Sequence, residues 1–373
     1  MRIVGVIHSL NGGGAERVMA RLVSMLSERG HDVTLITLDD GVDDRYEVAS
    51  AVARVHLNVM SDSKNKLAGL IATATRVKAL RAAMKGSRPD VVLSFCDVTN
   101  VLTLLASRFW SVPVVVSERS DPAAQAIAAP WAQLRPKLYR RAAGVVVLTN
   151  AAAATVAPWC RNQPIVIPSA VDSPPSDLSI ASDSAGDFVA VGRLEREKGF
   201  DLLINAFAKI ASDHPQSRMN IYGEGSLRRS LEQQRDRLGL SDRIVMPGWT
   251  RPIWPVLKPA GVYVLSSRYE GFPSSLLEAM ASGMACIAMD CPSGPAAIIR
   301  DGVDGLLVPA GDVDRLAIFM AKVREDQTLR ERLGANARDV VRRFGWDAMV
   351  DAYERVLIDA SAPRHELDSP GEE

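Results

Sequence analysis

Histidine and cysteine are scarce in this chain, and neither is clustered. The five histidines, His8, His31, His56, His214 and His365, stand far apart, which argues against a metallohydrolase centre and against a Ser-His-Asp triad. The four cysteines, Cys96, Cys160, Cys286 and Cys291, have no C-x-x-C spacing. In a chain of 373 residues that pattern points to reduced or buried thiols in a cytoplasmic protein, not to a disulfide framework. No apolar run approaches the ~18 residues of a membrane-crossing helix. The opening MRIVGVIH is too short an apolar run before Ser9 for a secretory signal. Charge of either sign is not in excess: 44 basic and 44 acidic side chains give a net charge of zero, so nothing draws the whole chain toward nucleic acid.

What is present is ample apolar material, 47% of residues, and a length that suggests two domains. Apolar β runs alternate with helical patterns. The first series is 2–8, 32–38, 54–59, 91–95, 113–118 and 144–149, with helices expected at 15–29 and 68–85. The second is 187–193, 219–223, 243–248, 262–267, 285–290 and 305–309. Such alternation predicts parallel sheets with helices on both faces. Between the series lies a stretch rich in Ser, Pro and Asp, read as a linker over 169–186. The resulting division is 1–168, linker, 187–345, a helix over 346–361 and a frayed tail over 362–373.

The segment Glu270–Glu278, EGFPSSLLE, follows the apolar run 262–267. Gly271 and Pro273 break the strand, and Ser274 and Ser275 can start a helix. Strand, tight loop and helix N-terminus together suit a phosphate. Glu270 then sits at the carboxyl end of the strand, where open α/β sheets bind ligands. A carboxylate beside a phosphate makes sense when it handles hydroxyls, and a sugar nucleotide offers both. The bland alternative is a capping box, Ser275 to Glu278, in which Glu278 only caps its own helix.

Other loops offer the same choice. LNGGGAERV (10–18) is a glycine-rich turn into a helix; G-x-G-x-x-G would need glycine where Arg17 stands, although Asp39 could hold a ribose. Glu16 and Arg17 read as helix-start residues. In VGRLEREKGFD (191–201), Arg193 and Lys198 bracket a strand-to-helix loop, and Glu197 occupies the glycine a P-loop requires. Surface pairing with Glu195 and Glu197 is the plain alternative. Gly223 and Gly225 form a further turn. SERSDP (117–122) puts Glu118 and Arg119 at a strand end, facing a ligand or pairing with surface charges. Two basic stretches, 76–88 and 131–142, are either solvated faces or surfaces for anionic lipid, and Pro136 argues against an unbroken helix in the second. The one D-x-D, Asp312-Val-Asp314, fits a helix cap better than a metal site.

Taken together, E-x7-E, the GGAER loop, the Arg193–Lys198 loop and SER-x-x-P resemble retaining glycosyltransferases of family 4, over nearly the whole chain. The resemblance implies an α/β GT-B fold, two Rossmann-like parallel-sheet domains facing across a cleft, with the last helix crossing back to the first domain. It implies that Arg193, Lys198 and Glu270 are catalytic. It gives donor contacts to Gly13, Gly14, Gly223, Gly271, Phe272, Pro273, Ser274, Ser275, Leu276 and Glu278, and acceptor-side positions to Glu118 and Arg119. Many members carry a histidine near the latter pair; this chain has none. The implied activity is transfer of a hexose or N-acetylhexosamine from a nucleotide sugar, UDP-linked, to a lipid-linked or cell-surface glycan. No cofactor and no essential metal are expected, and no nucleic-acid partner; an anionic membrane surface at the cytoplasmic face is a further partner. Two readings stay open beside it: a nucleotide-sugar epimerase on the same fold, and a non-catalytic sugar-nucleotide-binding protein.

Overall fold

The computed structural model describes residues 1–60, 66–175, 187–257 and 261–362. The chain divides into two compact units, one of Met1–Ile167 with the chain from Val350 onward, the other of Pro168–Met349. The expected linker begins as ordered backbone, with Val171 buried and its N–H donated to the Phe344 carbonyl at 2.9 Å. Residues 176–186, the rest of that expected linker, and 363–373, nearly all of the expected tail, lie outside the described residues.

The first unit is built on β1 (Arg2–Ile7), β2 (Asp32–Thr37), β3 (Ala53–His56), β4 (Val91–Phe95), β5 (Val114–Ser117), β6 (Gly144–Val147) and β7 (Ile165–Val166). They form one parallel sheet in the order β3-β2-β1-β4-β5-β6-β7. Strands β4, β5 and β6 are buried along their whole length, so they read as unbroken apolar runs without alternation. The two-residue β7 has no such run and left no trace in the sequence pattern.

The second unit carries β8 (Phe188–Val191), β9 (Met219–Tyr222), β10 (Ile244–Gly248), β11 (Val262–Leu265), β12 (Ala285–Asp290) and β13 (Leu306–Pro309). This sheet too is parallel, in the order β10-β9-β8-β11-β12-β13. Its edge strand β10 alternates buried and exposed, and its ladder shifts register between Val245 and Gly248. That is where a strand tolerates Pro247, which has no N–H to give.

The helix Trp346–Ser361 begins in the second unit and, from Val350, belongs to the first. There the buried Tyr353 ring lies 5.8 Å from Phe95, and its hydroxyl shares a 3.0 Å hydrogen bond with Ser117 Oγ. Glu354 receives Arg29 Nη1 at 2.6 Å and His31 Nε2 at 2.7 Å.

Candidate active site

In each sheet the chain order reverses direction at one point, between β1 and β4 and between β8 and β11. Loops leaving the carboxyl ends of such a strand pair turn to opposite sides and open a crevice, the usual ligand site of an open α/β sheet.

At the second switch point the two loops carry the predicted residues. Gly192 and Arg193 follow β8. Lys198 ends the same loop, its stem running over Gly192, where a Cβ would sit 3.3 Å from Lys198 Cδ. Its ammonium donates to Glu270 Oε1 at 2.7 Å, and Ser267 Oγ donates to the same oxygen at 2.6 Å. This pair is largely dehydrated, the side chains being 17% and 8% exposed. Arg193 is 75% exposed and reaches Glu197 at 2.8 Å. Gly199 fixes the approach of the two loops: its φ is +62°, and a Cβ there would lie 2.1 Å from the Ser266 carbonyl oxygen. Gly223 does the same at the end of the neighbouring strand β9, with φ +145° and a Cβ position 1.8 Å from the Gly192 carbonyl oxygen.

The loop after β11 passes through Glu270 and Gly271 into the helix Ser274–Ala281, whose N-cap is Pro273. The capping box does not form. Ser275 is the second residue of the helix, and no side chain caps it. The Ser275 hydroxyl instead receives the Tyr263 hydroxyl at 2.7 Å and donates to the Val191 carbonyl at 3.3 Å, tying the helix start to the end of β8. The N–H groups of Ser274, Ser275 and Leu276 have no partner within the helix. Glu278, one turn further in, is 8% exposed. Two predicted donor contacts are corrected at the side-chain level. Phe272 is 6% exposed and stacks edge-on against Phe344 at 5.3 Å, and Leu276 is fully buried. Both side chains belong to the core.

At the first switch point Gly13 is the N-cap and Gly14 the first residue of the helix Gly14–Glu28. Glu16 lies in its first turn, as expected, and its carboxylate reaches back over Gly13 and to His8 Nε2 at 3.2 Å. Across the switch point stand Cys96 and Asp97, which sequence reasoning missed. Cys96 has φ +73°, and Asp97 accepts the Val98 N–H at 2.6 Å. Only knowledge that β4 pairs with β1 brings them beside the glycine turn, and strand order is not written in the strand runs themselves.

Glu118, read as an acceptor-side residue or as an ion-pair partner, forms an ion pair, and a buried one. It is 2% exposed and accepts Arg135 Nε at 2.8 Å and the Tyr139 hydroxyl. Burial pushes its carboxyl above the ordinary range, against the pull of Arg135 and Tyr139. Arg119 stacks over Phe95 at 4.9 Å and donates to the Tyr353 hydroxyl at 3.3 Å. The basic stretches are partly corrected too. Arg81 donates to the carbonyls of Leu105, Ala106 and Arg108, satisfying the end of the helix Asp97–Ala106. Arg76 donates to the Val59 carbonyl, and Arg135 and Tyr139 point inward. Pro136 lies inside one continuous helix, Ala129–Tyr139. Lys78, Lys85, Arg88, Lys137, Arg140 and Arg141 remain exposed. Asp312 is a helix cap, accepting the Arg315 N–H at 2.9 Å, and Asp314 pairs with Lys209.

Two doubly wound parallel sheets, the second with a cation pair, two glutamates and a helix N-terminus at its switch point, define the class: a GT-B glycosyltransferase. The family models agree with that. The model described as "Glycosyl transferases group 1" matches residues 181–340, and that of the "Glycosyl transferase 4-like domain" matches 13–168. The chain belongs to this family of glycosyltransferases. It is 27% identical over 349 residues to an N-acetyl-D-galactosaminyltransferase of Campylobacter jejuni, named for a diNAcBac-PP-undecaprenol-linked glycan, covering 92% of this chain and 94% of that one. It is 36% identical over 173 residues to an exopolysaccharide phosphotransferase of Streptomyces coelicolor, a match to 46% of this chain and 18% of that protein. HepE from Anabaena, solved with UDP, superposes with a TM-score of 0.77 at 20% identity, over 96% of this chain and all of that one.

Proposed function

We propose that this glycosyltransferase moves a hexose or N-acetylhexosamine from a UDP-linked donor to a lipid-linked or cell-surface glycan, with retention at the anomeric carbon. The observation that carries the reading is the convergence of Arg193, Lys198, Glu270 and the Ser274–Ala281 N-terminus at one switch point. A donor diphosphate would lie against the two cations and the first-turn N–H groups, where positive charge and open donors meet. Glu270 and Glu278 would accept hydrogen bonds from sugar and ribose hydroxyls.

In the step proposed, the acceptor oxygen attacks C1 on the face from which the diphosphate departs. The bond from C1 to the phosphate oxygen breaks as the new glycosidic bond forms, and the acceptor proton passes to the departing phosphate. Arg193 and Lys198 stabilise the charge that accumulates on that leaving group, where electrostatic catalysis has most effect. The two cations fill the place a divalent ion would take, so transfer is expected to persist in excess chelator; loss restored by manganese or magnesium would refute that. The glycan-building relative from Campylobacter and the UDP-bound HepE support the donor and acceptor classes. The test is nucleotide release from a panel of nucleotide sugars with undecaprenyl-diphosphate-linked acceptors. UDP release that depends on acceptor is the expected result. Release of GDP alone, or donor turnover without acceptor, would overturn it.

A further inference from the structure

Both cations assigned to the diphosphate already hold carboxylates. The two pairs are not alike. Arg193–Glu197 is solvent-exposed on the arginine side and closes within one short loop. Pairs of that kind contribute little and are readily exchanged. Lys198–Glu270 joins two loops 72 residues apart, is largely withdrawn from water, and is braced by the Ser267 hydroxyl on the same carboxylate oxygen. The neighbouring cation Arg268 is committed to Asp201 through two 2.7 Å hydrogen bonds, so it cannot relieve either partner. A diphosphate that approaches Lys198 therefore meets the Glu270 carboxylate, a like charge, at the same ammonium.

Resting on the donor-site reading above, we propose that Glu270 is the resident counter-ion of Lys198, displaced when the donor's diphosphate arrives. With an intact nucleotide sugar, the displaced carboxylate finds sugar hydroxyls to accept from. With the spent nucleoside diphosphate it finds none, and it competes for Lys198 again. One glutamate thus opposes the product more than the substrate and speeds release of the nucleotide after transfer. Glu270 is in this respect a positioning residue, acting on the phosphates through Lys198, in addition to any contact it makes with the sugar.

The test is calorimetric titration of wild type, Glu270→Gln and Ser267→Ala with UDP, uridine and UDP-sugar, and with GDP and guanosine as a second pair. Glu270→Gln keeps the shape and removes the charge. It is expected to bind UDP roughly 5- to 50-fold more tightly, a range set by a unit charge about 3–4 Å away in a partly wet site. Uridine, lacking phosphate, should bind as before, and UDP-sugar should gain less than UDP. Ser267→Ala leaves the charge but loosens its brace, so UDP affinity should move the same way by a smaller factor. Glu197→Gln should change UDP binding by less than about twofold. Should UDP bind Glu270→Gln no more tightly than wild type while uridine binding holds, the inference falls and the donor site stands. Should the wild type bind no nucleoside diphosphate at all, both fall together.

Discussion

Glu278 shows how a local string can suggest a cap that the fold does not form. The string S-x-x-E fits a capping box, but Pro273 takes the N-cap position and the Ser275 hydroxyl is engaged by Tyr263 and Val191. With that role gone, Glu278→Ala is expected to lose about 10- to 150-fold in donor affinity, and Glu278→Gln, which keeps an acceptor oxygen but not the charge, to fold and to bind donor more weakly than wild type. The range for Glu278→Ala follows from a charge-assisted hydrogen-bond contribution of about 1.5–3 kcal/mol. Titration and thermal unfolding of the same samples check it, and wild-type affinity would move the donor site elsewhere. The residues legible in the sequence were those that form local strings: two glutamates at fixed spacing, Arg193 with Lys198, and the glycine turn. What stayed hidden was partnership over distance. Nothing near Lys198 names Glu270, and nothing near Glu118 announces that Arg135 will bury it.

Among elements, the helix Lys66–Gly86 and the segment after it divide their charges between two tasks. Arg76 and Arg81 hold backbone carbonyls, whereas Lys78, Lys85 and Arg88 face water. On the same unit Leu70, Ile71 and Phe109 are exposed by 69%, 62% and 87%. We expect weak binding to anionic vesicles that salt releases, since these contacts are screened over about 10 Å at 0.1 M. Reversing Lys78, Lys85 and Arg88 to Glu should abolish it; equal binding to neutral vesicles would sink the idea. The returning helix Trp346–Ser361 makes a second prediction. Hydrogen bonds from His31 and then Arg29 hold the Glu354 carboxyl below the ordinary range, and Asp351 shares Arg29. A depressed carboxyl stabilises the fold above its unfolded value of about 4.3, and the gain is lost as pH falls through its folded value. Glu354→Gln should therefore lower the melting temperature at pH 7 and narrow its difference from wild type toward pH 3. A constant difference across that range would show that the charge is not responsible. At this scale the long buried strands were legible because a strand covered on both faces is simply apolar. The two-residue β7 and the helix that carries Pro136 were not, because one is too short to have a pattern and the other defies its propensity.

For the whole molecule, the main asymmetry of sequence is that the first unit is not continuous: it takes its last helix from the far end of the chain. Tyr353 fills a place between Phe95 and Ser117 with no exposure. Tyr353→Ala should cost the first unit about 3–5 kcal/mol, in the range for removing a buried aromatic side chain. Calorimetry resolving two transitions should show the first unit's transition fall and that of Pro168–Met349 stay; a common shift would mean the units melt as one. The division into two α/β halves was visible in the two strand series. The return of the chain was supplied by resemblance alone, since an amphipathic helix does not state which sheet it will cover.

That return also sets the order of events on the ribosome. The strands of the first sheet emerge before the second unit, yet their last partner is made only after it. Residues 168–349 must be translated in between, which at roughly 5–20 residues per second takes on the order of 10–40 s. By the end of that interval the second unit has all of its own sequence and can close, and until then the older half still presents Phe95 and Ser117 to the surroundings. The half of this enzyme that is born first is finished last, and a chaperone following its synthesis has that one apolar seat to guard.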